Sequence, residues 1–249
     1  LKQAVKERLI PYNPCENCRV PPKDKKEMTI LPPEKIGRYL QEAEKYGVLP
    51  MFYLELSSGL RRGELLALQW EDLNVKERIL TVNKQVTRME GELDVTEPKT
   101  KNSVRKVALS QQAVDLLVQE HEQNPDNPIL FPSPRTGSYW SPDAVSRINR
   151  KLLKNADIEE HVRFHDLRHT FATMAISSGV DVKTLSSMLG HYSAGFTLDT
   201  YTHITNDMQR GAAEKIGGFM ESATATTIPE PPDPPEESRC KVIRLERVG

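Results

Sequence analysis

The sequence is poor in cysteine, in long apolar runs and in net charge. Its 249 residues include three cysteines, too few for a disulfide framework. No apolar run approaches the roughly 18 residues of a membrane span, and the opening residues lack the apolar core of a signal peptide. With 37% hydrophobic and 28% charged residues, the composition indicates a soluble globular protein, which we expect in the cytoplasm. The absence of an initiator methionine and a start inside a helical pattern predict a piece of a longer chain.

Metal-ligand patterns are weak as well. Cys15 and Cys18 form a CxxC pair, but a zinc site needs two more ligands at a matching spacing, and none is nearby. His165 and His169 are four residues apart, without an HExxH glutamate or a third ligand. We therefore expect no metal ion and no cofactor, and we interpret the two cysteines as reduced thiols in a linker.

The net charge of −1 does not by itself indicate a nucleic-acid-binding protein. The average hides a local pattern, because residues 230–237 (EPPDPPEE) carry four acidic side chains and no basic one. Basic side chains cluster at 23–26 and at 99–106 (KTKNSVRK). Either cluster alone is more typical of a solvated loop than of a binding site.

Apolar periodicity predicts a mostly helical α+β fold. Helical stripes that follow caps or prolines predict helices near 3–10, 33–46, 50–57, 61–68, 166–177, 182–189 and 207–220. Two more are predicted by their starts and apolar stripes: one capped by Ser110 with its stripe at 113–117, and one opened by Pro142 with its stripe at 145–152. Residues 79–109 change to the alternation of strands, with turn residues at 90–91 and 99–102. This stretch predicts a small three-stranded antiparallel meander with Lys99 in its second turn.

Residues 165–201 concentrate side chains that could hold and attack a phosphodiester. His165 and Arg168 share one face of a predicted helix, His191 follows a helix-stopping glycine, and Tyr201 comes ten residues later. A tyrosine hydroxyl has an ordinary pKa of about 10. It becomes a useful nucleophile only where fixed cations and donors stabilise the developing negative charge.

Other positions could complete such a site. Arg61 starts a different helix, so that it and Arg168 could bind both non-bridging oxygens of one phosphate. Lys99 could protonate a leaving oxygen from its basic turn. Tyr192 and Tyr201 compete as the nucleophile, and chemistry alone does not choose between them. Each of these residues also has an ordinary interpretation, as a solvated charge or a half-buried tyrosine.

Four segments carry a resemblance to a known family. They are SSGLRRGELLALQWEDL, EPKTKNSVRKVAL, HDLRHTFATMAISSG and LGHYSAGFTLDTYTH. In order and spacing they resemble the signature boxes of the tyrosine recombinase (phage integrase) family, and the resemblance spans residues 28–220. Among members of this family, the sequence is most similar to integrases of conjugative transposons and related phages. The resemblance implies the tyrosine recombinase catalytic-domain fold.

The resemblance assigns catalytic roles to six positions: Arg61, Lys99, His165, Arg168, His191 and Tyr201. Tyr201 takes the place of the nucleophile, whereas Tyr192, directly after the histidine, does not match it. Lys101 lies two residues past the position of the family's lysine and ranks second to Lys99. Together with Arg62 and Arg105, Lys101 is expected to contact DNA.

The implied function is site-specific recombination that integrates and excises a mobile element. Tyr201 would attack a DNA phosphate, giving a 3′-phosphotyrosyl link and a free 5′-hydroxyl, with Lys99 as the general acid and His165 as an acid/base or hydrogen-bond donor. The implied partners are double-stranded DNA at recombination sites, further copies of the chain in dimers and tetramers, and an accessory excision factor, with no membrane. Two alternatives stay open: a type IB topoisomerase-like enzyme that religates the same strand, and a DNA-binding accessory protein that does not cleave.

The resemblance also divides the chain. Residues 1–27 correspond to the end of a core-binding domain and a linker, 28–221 to the catalytic domain, and 222–249 to a linker and tail. The tail ends in an alternating run, CKVIRLERV, and an isolated strand needs an edge to pair with. We therefore expect the residues after Tyr201 to pack on a neighbouring subunit, the alternative being a disordered acidic tail.

Overall fold

A computed structural model of the chain describes residues 1–19, 29–89, 92–97, 104–190, 195, 197 and 213–223. The chain divides into two units, Leu1–Thr197 and Leu198–Gly249. Within the described ranges, no helix is both long enough and apolar enough to cross a membrane. In the second unit, residues 213–223 are helical. They overlap the helix predicted at 207–220 and extend past its predicted end, and the first residues of that predicted helix lie outside the described ranges.

The first unit combines helices with short strands. Its helices are α1 (Lys2–Lys6), α2 (Pro33–Lys45), α3 (Leu49–Ser58), α4 (Arg62–Ala67), α5 (Gln111–Gln123), α6 (Pro142–Asn155), α7 (Phe164–Ser177) and α8 (Val182–Leu189). Its strands are β1 (Leu73–Asn74), β2 (Ile79–Val82), β3 (Gln85–Met89), β4 (Glu92–Thr96) and β5 (Arg105–Ala108). A short 3₁₀ turn, Trp70–Asp72, precedes β1.

The predicted starts of α2, α5 and α6 are confirmed, whereas α7 begins at Phe164, two residues before the predicted start at 166. Pro33 and Pro142 occupy first-turn positions of α2 and α6, where a missing N–H costs nothing. The Ser110 hydroxyl accepts from the backbone N–H of Ala113 at 3.2 Å and so begins α5. The α8 bounds agree with the predicted range 182–189.

A three-stranded antiparallel sheet is present, but its connections differ from the predicted meander. Its order is β1-β2-β5, with Leu80 opposite Val107, and β3 and β4 form a separate hairpin. The run that the alternation treated as one strand breaks at Lys84, whose Nζ lies 2.6 Å from Gln69 Oε1 and 3.0 Å from Asp72 Oδ2. After this break the chain continues into β3, which pairs with β4, and β5 pairs with β2. The turn predicted around Lys99 lies outside the described residues.

The core is built around α3, which packs against α2, α5 and α7. Phe52 is fully buried and makes edge-to-face contacts with Tyr39 of α2, at a centroid distance of 5.9 Å, and with Phe164 of α7, at 5.6 Å. Buried aromatic pairs of this kind add to the stabilisation from apolar burial. These contacts fix α7, which carries His165 and Arg168 of the candidate site, relative to α3.

The end of α3 depends on a glycine. Gly59 has a φ of 61°, in the left-handed region that favours glycine. A Cβ placed there would lie 2.3 Å from Cδ1 of Phe171 on α7. The missing side chain therefore lets α7 approach the last turn of α3, directly before the site residues begin.

Gly59→Ala is expected to lower the free energy of unfolding by about 2–4 kcal/mol, through left-handed strain of roughly 1–2 kcal/mol and a further cost of overpacking. Gly47→Ala is the matched control, because Gly47 also has a positive φ, 72°, but a Cβ there meets no atom within 4 Å. Urea unfolding of both variants measures the difference. Equal losses would contradict the packing argument.

Candidate active site

Arg61 immediately precedes α4, and two contacts hold its guanidinium. Nη1 donates to Glu64 Oε1 at 2.7 Å, and Nη2 donates to the carbonyl oxygen of Gly190 at 2.9 Å. The side chain keeps 38% of its surface exposed. Arg61 is therefore fixed in direction and still open to a ligand.

Glu64 anchors this end of the site. Its carboxylate accepts from the backbone N–H of Arg61 at 3.0 Å, in the manner of a capping residue at the third helical position. Arg105 of β5 binds the same carboxylate through Nη1 at 3.1 Å and Nη2 at 2.7 Å. Burial alone would raise the pKa of Glu64, but hydrogen bonds and charge from Arg105 and hydrogen bonds from Arg61 hold it below its ordinary value. The carboxylate stays ionised and ties the two guanidiniums together.

Arg105 was expected from the sequence to contact DNA, but its side chain is buried on the inward face of β5. Along β5 the side chains of Arg105 and Val107 are buried, while Lys106 is exposed. The Nε of Arg105 donates to the carbonyl oxygen of Met188 at 2.7 Å, in addition to its ion pair with Glu64. Because its guanidinium is buried in these contacts, Arg105 helps to hold Glu64, which in turn holds Arg61.

Arg168 approaches the same point from α7. It is 3% exposed, and its Nη1 and Nη2 donate to the carbonyl oxygens of Gly59, at 2.7 Å, and Leu189, at 2.6 Å. Burial lowers the pKa of Arg168 to about 10, and the positive charge of Arg61 acts in the same direction. The carbonyls of Leu189 and Gly190 are consecutive, so Arg168 and Arg61 meet at the C-terminal end of α8.

Two histidines flank Arg168 on α7. The rings of His165 and His169 stand edge to face, with centroids 5.2 Å apart. Partial burial lowers the pKa of His165, and the charge of Arg168 adds to the effect. Burial, followed by the neighbouring His165, lowers the pKa of His169 to about 4. Both rings are neutral near pH 7, so that each can donate or accept a proton.

A cavity of about 560 Å³ opens beside His165. Its lining includes these basic or titratable side chains: Arg62, Arg150, His161, Arg163 and His165. Arg62 is held by a hydrogen bond from Nη1 to Ser146 Oγ at 2.7 Å. The accumulation of positive charge fits a polyanionic ligand, and a DNA contact through Arg62 stays a prediction.

The structure brings together Arg61, His165 and Arg168, which lie far apart in sequence. Of the remaining candidates, Arg62 and Arg105 are described above, and five lie outside the described part of the chain: Lys99, Lys101, His191, Tyr192 and Tyr201. Sequence reasoning gave Glu64 no role, although a glutamate at the third position of a helix is a recognisable capping signal.

The described residues offer anion-binding chemistry. They contain no group of three or more His, Cys, Asp or Glu side chains that could hold a metal ion, and Cys15 and Cys18 are exposed free thiols. Fixed guanidiniums beside neutral imidazoles can bind an anion and move protons near it.

Comparison with known proteins agrees with this class of site. A profile of the phage integrase family matches residues 31–208, and the chain belongs to that family. The ICEBs1 integrase of Bacillus subtilis (strain 168) is 31% identical over 230 residues, covering 87% of this chain and 62% of the relative. A tyrosine recombinase XerC-like protein of Caldanaerobacter subterraneus subsp. tengcongensis is 28% identical over 245 residues, with the same coverage. The chain spans less than two thirds of the length of either relative.

Solved structures confirm the predicted fold class. The Tn1549 transposon integrase, in complex with a circular intermediate DNA, matches with a TM-score of 0.72 at 23% identity, over 86% of this chain and 75% of that one. XerA recombinase matches with a TM-score of 0.62 at 27% identity, over 78% and 67%. The fold is therefore the predicted α+β fold of the tyrosine recombinase catalytic domain.

Proposed function

We propose that the chain carries the catalytic part of a site-specific DNA recombinase, which cuts and rejoins DNA through a 3′-phosphotyrosine and so integrates and excises a mobile element. The observation that carries the proposal is the meeting of Arg61 and Arg168 at the consecutive carbonyls of Leu189 and Gly190. Guanidiniums held from different helices offer donors to both non-bridging oxygens of one phosphate. The next residue in the chain is His191.

In the proposed first step, the Tyr201 oxygen forms a bond to phosphorus, and the bond from phosphorus to the 5′-oxygen breaks. We assign His165, whose ring is neutral, to accept the proton that Tyr201 loses. Lys99 donates a proton to the departing 5′-oxygen. The products are a 3′-phosphotyrosyl link and a free 5′-hydroxyl.

Charge stabilisation falls to the cations of the site. Arg61 and Arg168, assisted by His191, stabilise the negative charge of the pentavalent phosphorus. The covalent link keeps the energy of the phosphodiester, so that the 5′-hydroxyl of a partner strand can attack it and restore a DNA backbone. This reaction needs neither ATP nor a redox cofactor.

The partners follow from this chemistry. Strand exchange needs two duplexes of double-stranded DNA and several copies of the chain, which we propose form dimers and then tetramers on DNA in the cytoplasm, with an accessory factor favouring excision. The Tn1549 transposon integrase was solved with a circular intermediate DNA, and lambda integrase as a dimer bound to a core site. Those structures support DNA as the substrate proposed for this chain.

An apolar groove supports association through the C-terminal region. A groove of about 420 Å³ is lined by side chains of α2, α3, α7 and α8, among them Ile36, Leu40 and Met174. The helix at 213–223 exposes 64% of Ile216 and 72% of Phe219, one turn apart. We propose that this helix of one copy covers the groove of another, with the tail beyond it pairing on the same neighbour.

Removing the tail is expected to weaken assembly. Deletion of 222–249, and separately Phe219→Asp, should reduce both cleavage and multi-subunit complexes on DNA, because each removes surface for the neighbouring copy. Glu214→Ala, on the same helix, is the control. Band shifts and analytical ultracentrifugation on DNA measure assembly. Unchanged assembly and cleavage in the truncated chain would contradict docking of the tail, and unchanged assembly with Phe219→Asp would contradict docking of the helix.

A strand-transfer assay tests the function. The chain is incubated with two duplexes of different length that carry the ends of the mobile element encoding it. A recombinase yields joined strands from both duplexes, whereas a topoisomerase-like enzyme restores only the original strands. An accessory protein gives neither product and no covalent adduct.

A further inference from the structure

Glu55 of α3 is a buried carboxyl group close to the arginines of the candidate site. It is the one charged residue of α3, it is fully buried, and neither of its carboxyl oxygens has a hydrogen-bond partner. Its backbone carbonyl accepts from the N–H of Gly59, one turn further along α3. The carbonyl of Gly59 in turn accepts from Nη1 of Arg168. A carboxyl group therefore lies one helical turn below a contact that holds a site arginine.

The contacts of Arg168 show that Glu55 does not act as its paired counter-ion. A buried carboxylate beside a buried guanidinium ordinarily pairs with it through hydrogen bonds. Arg168 instead donates to the carbonyls of Gly59 and Leu189. The ionised partner near the arginines is Glu64, which binds Arg61 and Arg105.

The charges around Glu55 come from every side. Titratable groups acting on it are Tyr39 of α2, Glu64 of α4, Arg105 of β5 and Arg168 of α7. Among the described residues, α5 also packs on α3 but contributes none of these charges. Burial is the largest cause and raises the pKa of Glu55 well above its ordinary value. The charges of Arg168 and Arg105 lower this pKa, and the negative charge of Glu64 raises it, so that the arginines do not offset the effect of burial.

We propose that Glu55 is a positioning residue that acts through Arg168: as a neutral, buried carboxylic acid it fills the space behind the arginine without cancelling its charge. With Glu55 neutral, Glu64 is the only ionised carboxylate among these groups, and Arg61, Arg105 and Arg168 keep an excess of positive charge for an incoming phosphate. Ionisation of Glu55 would remove one unit of that excess. This inference rests on the proposed function for its ligand, although the protonation state of Glu55 is independent of it.

Stability measurements test the protonation state directly. A carboxyl whose pKa is raised in the folded state contributes stability that is fully present below its unfolded pKa, about 4.3, and is lost as the pH rises through the folded value. Glu55→Gln removes this loss and keeps the shape. Its urea midpoint should therefore match that of the unaltered chain near pH 4 and exceed it increasingly as the pH rises. A lower midpoint for Glu55→Gln at neutral pH would identify an ionised partner of Arg168 and overturn the proposal.

DNA binding tests the action on the site. Binding of a random-sequence duplex, followed by fluorescence anisotropy at fixed salt, should be equal for the unaltered chain and Glu55→Gln near neutral pH. As the pH rises, Glu55 ionises in the unaltered chain and removes one unit of positive charge from the site, which cannot happen in Glu55→Gln. The unaltered chain should therefore lose about tenfold more affinity than Glu55→Gln. Glu120→Gln is the matched control, because burial also raises the pKa of Glu120 but no arginine acts on it.

The outcomes separate the two proposals. If Glu55→Gln and the unaltered chain had the same pH profile of binding, Glu55 would have no effect on the site, and the positioning role would be overturned. Glu55→Met provides a second variant with a buried, uncharged side chain and should follow Glu55→Gln in both measurements. Absence of DNA binding in every variant would instead count against the proposed function, while the urea comparison would still decide the state of Glu55.

Discussion

Tyr201→Phe is expected to abolish the covalent protein–DNA adduct while leaving DNA binding nearly intact. The change removes one oxygen atom, which is the proposed attacking group. Without this nucleophile no covalent bond to the DNA phosphate can form. The measurement uses a nicked duplex carrying an end of the mobile element that encodes the chain, because loss of the short fragment traps the adduct. Denaturing gels then report the adduct, and band shifts report binding.

Tyr192→Phe is the matched control for this experiment. It removes the same atom from a tyrosine nine residues earlier in the same segment, and it should still form the adduct. An inactive Tyr192→Phe together with an active Tyr201→Phe would reverse the assignment of the nucleophile.

Arg61→Ala is expected to lower the rate of adduct formation by roughly a hundredfold to a thousandfold, since a fixed donor to transition-state charge contributes several kcal/mol. Arg61 is a cleaner target than Arg168, which is almost fully buried. When Arg61 is removed, Glu64 keeps its ion pair with Arg105, so the fold should survive. Single-turnover rates at saturating DNA measure the effect on the bound complex.

Arg62→Ala supplies the comparison. Arg62 is the adjacent arginine, and its Nη1 is held by Ser146 at the neighbouring cavity instead of by Glu64. Its removal should weaken DNA binding and leave the rate for bound DNA within a few fold. Equal rate losses for Arg61→Ala and Arg62→Ala would contradict a specific phosphate clamp at Arg61.

Much of the fold and part of the site could be predicted from the sequence, because local signals agreed with tertiary structure there. Apolar stripes and caps located the helices, including α8 at the predicted residues. The signature segments named Arg61, His165 and Arg168 as candidates, and the structure brings these residues to one place. Apolar periodicity could not predict that these residues converge, because their convergence depends on how α4, α7 and α8 pack together.

The misplacements have physical causes. Arg105 lies in a basic run, which suggested a surface contact, but the alternation of β5 puts it on the same inward face as Val107. Its partner, Glu64, comes from a helix more than forty residues earlier, and no local pattern reveals such a pair. The strand connections were predicted wrongly because β2 pairs with β5, a strand more than twenty residues further along the chain, and local β propensity does not specify which strands pair.

Mass spectrometry of the trapped adduct tests the central claim most directly. Trypsin releases both candidate tyrosines in one peptide, residues 184–210, so fragmentation must locate the nucleotide within it. We expect a nucleotide joined through its 3′-phosphate to the oxygen of Tyr201. A nucleotide on Tyr192 or on any other side chain, or a link through a 5′-phosphate, would contradict it.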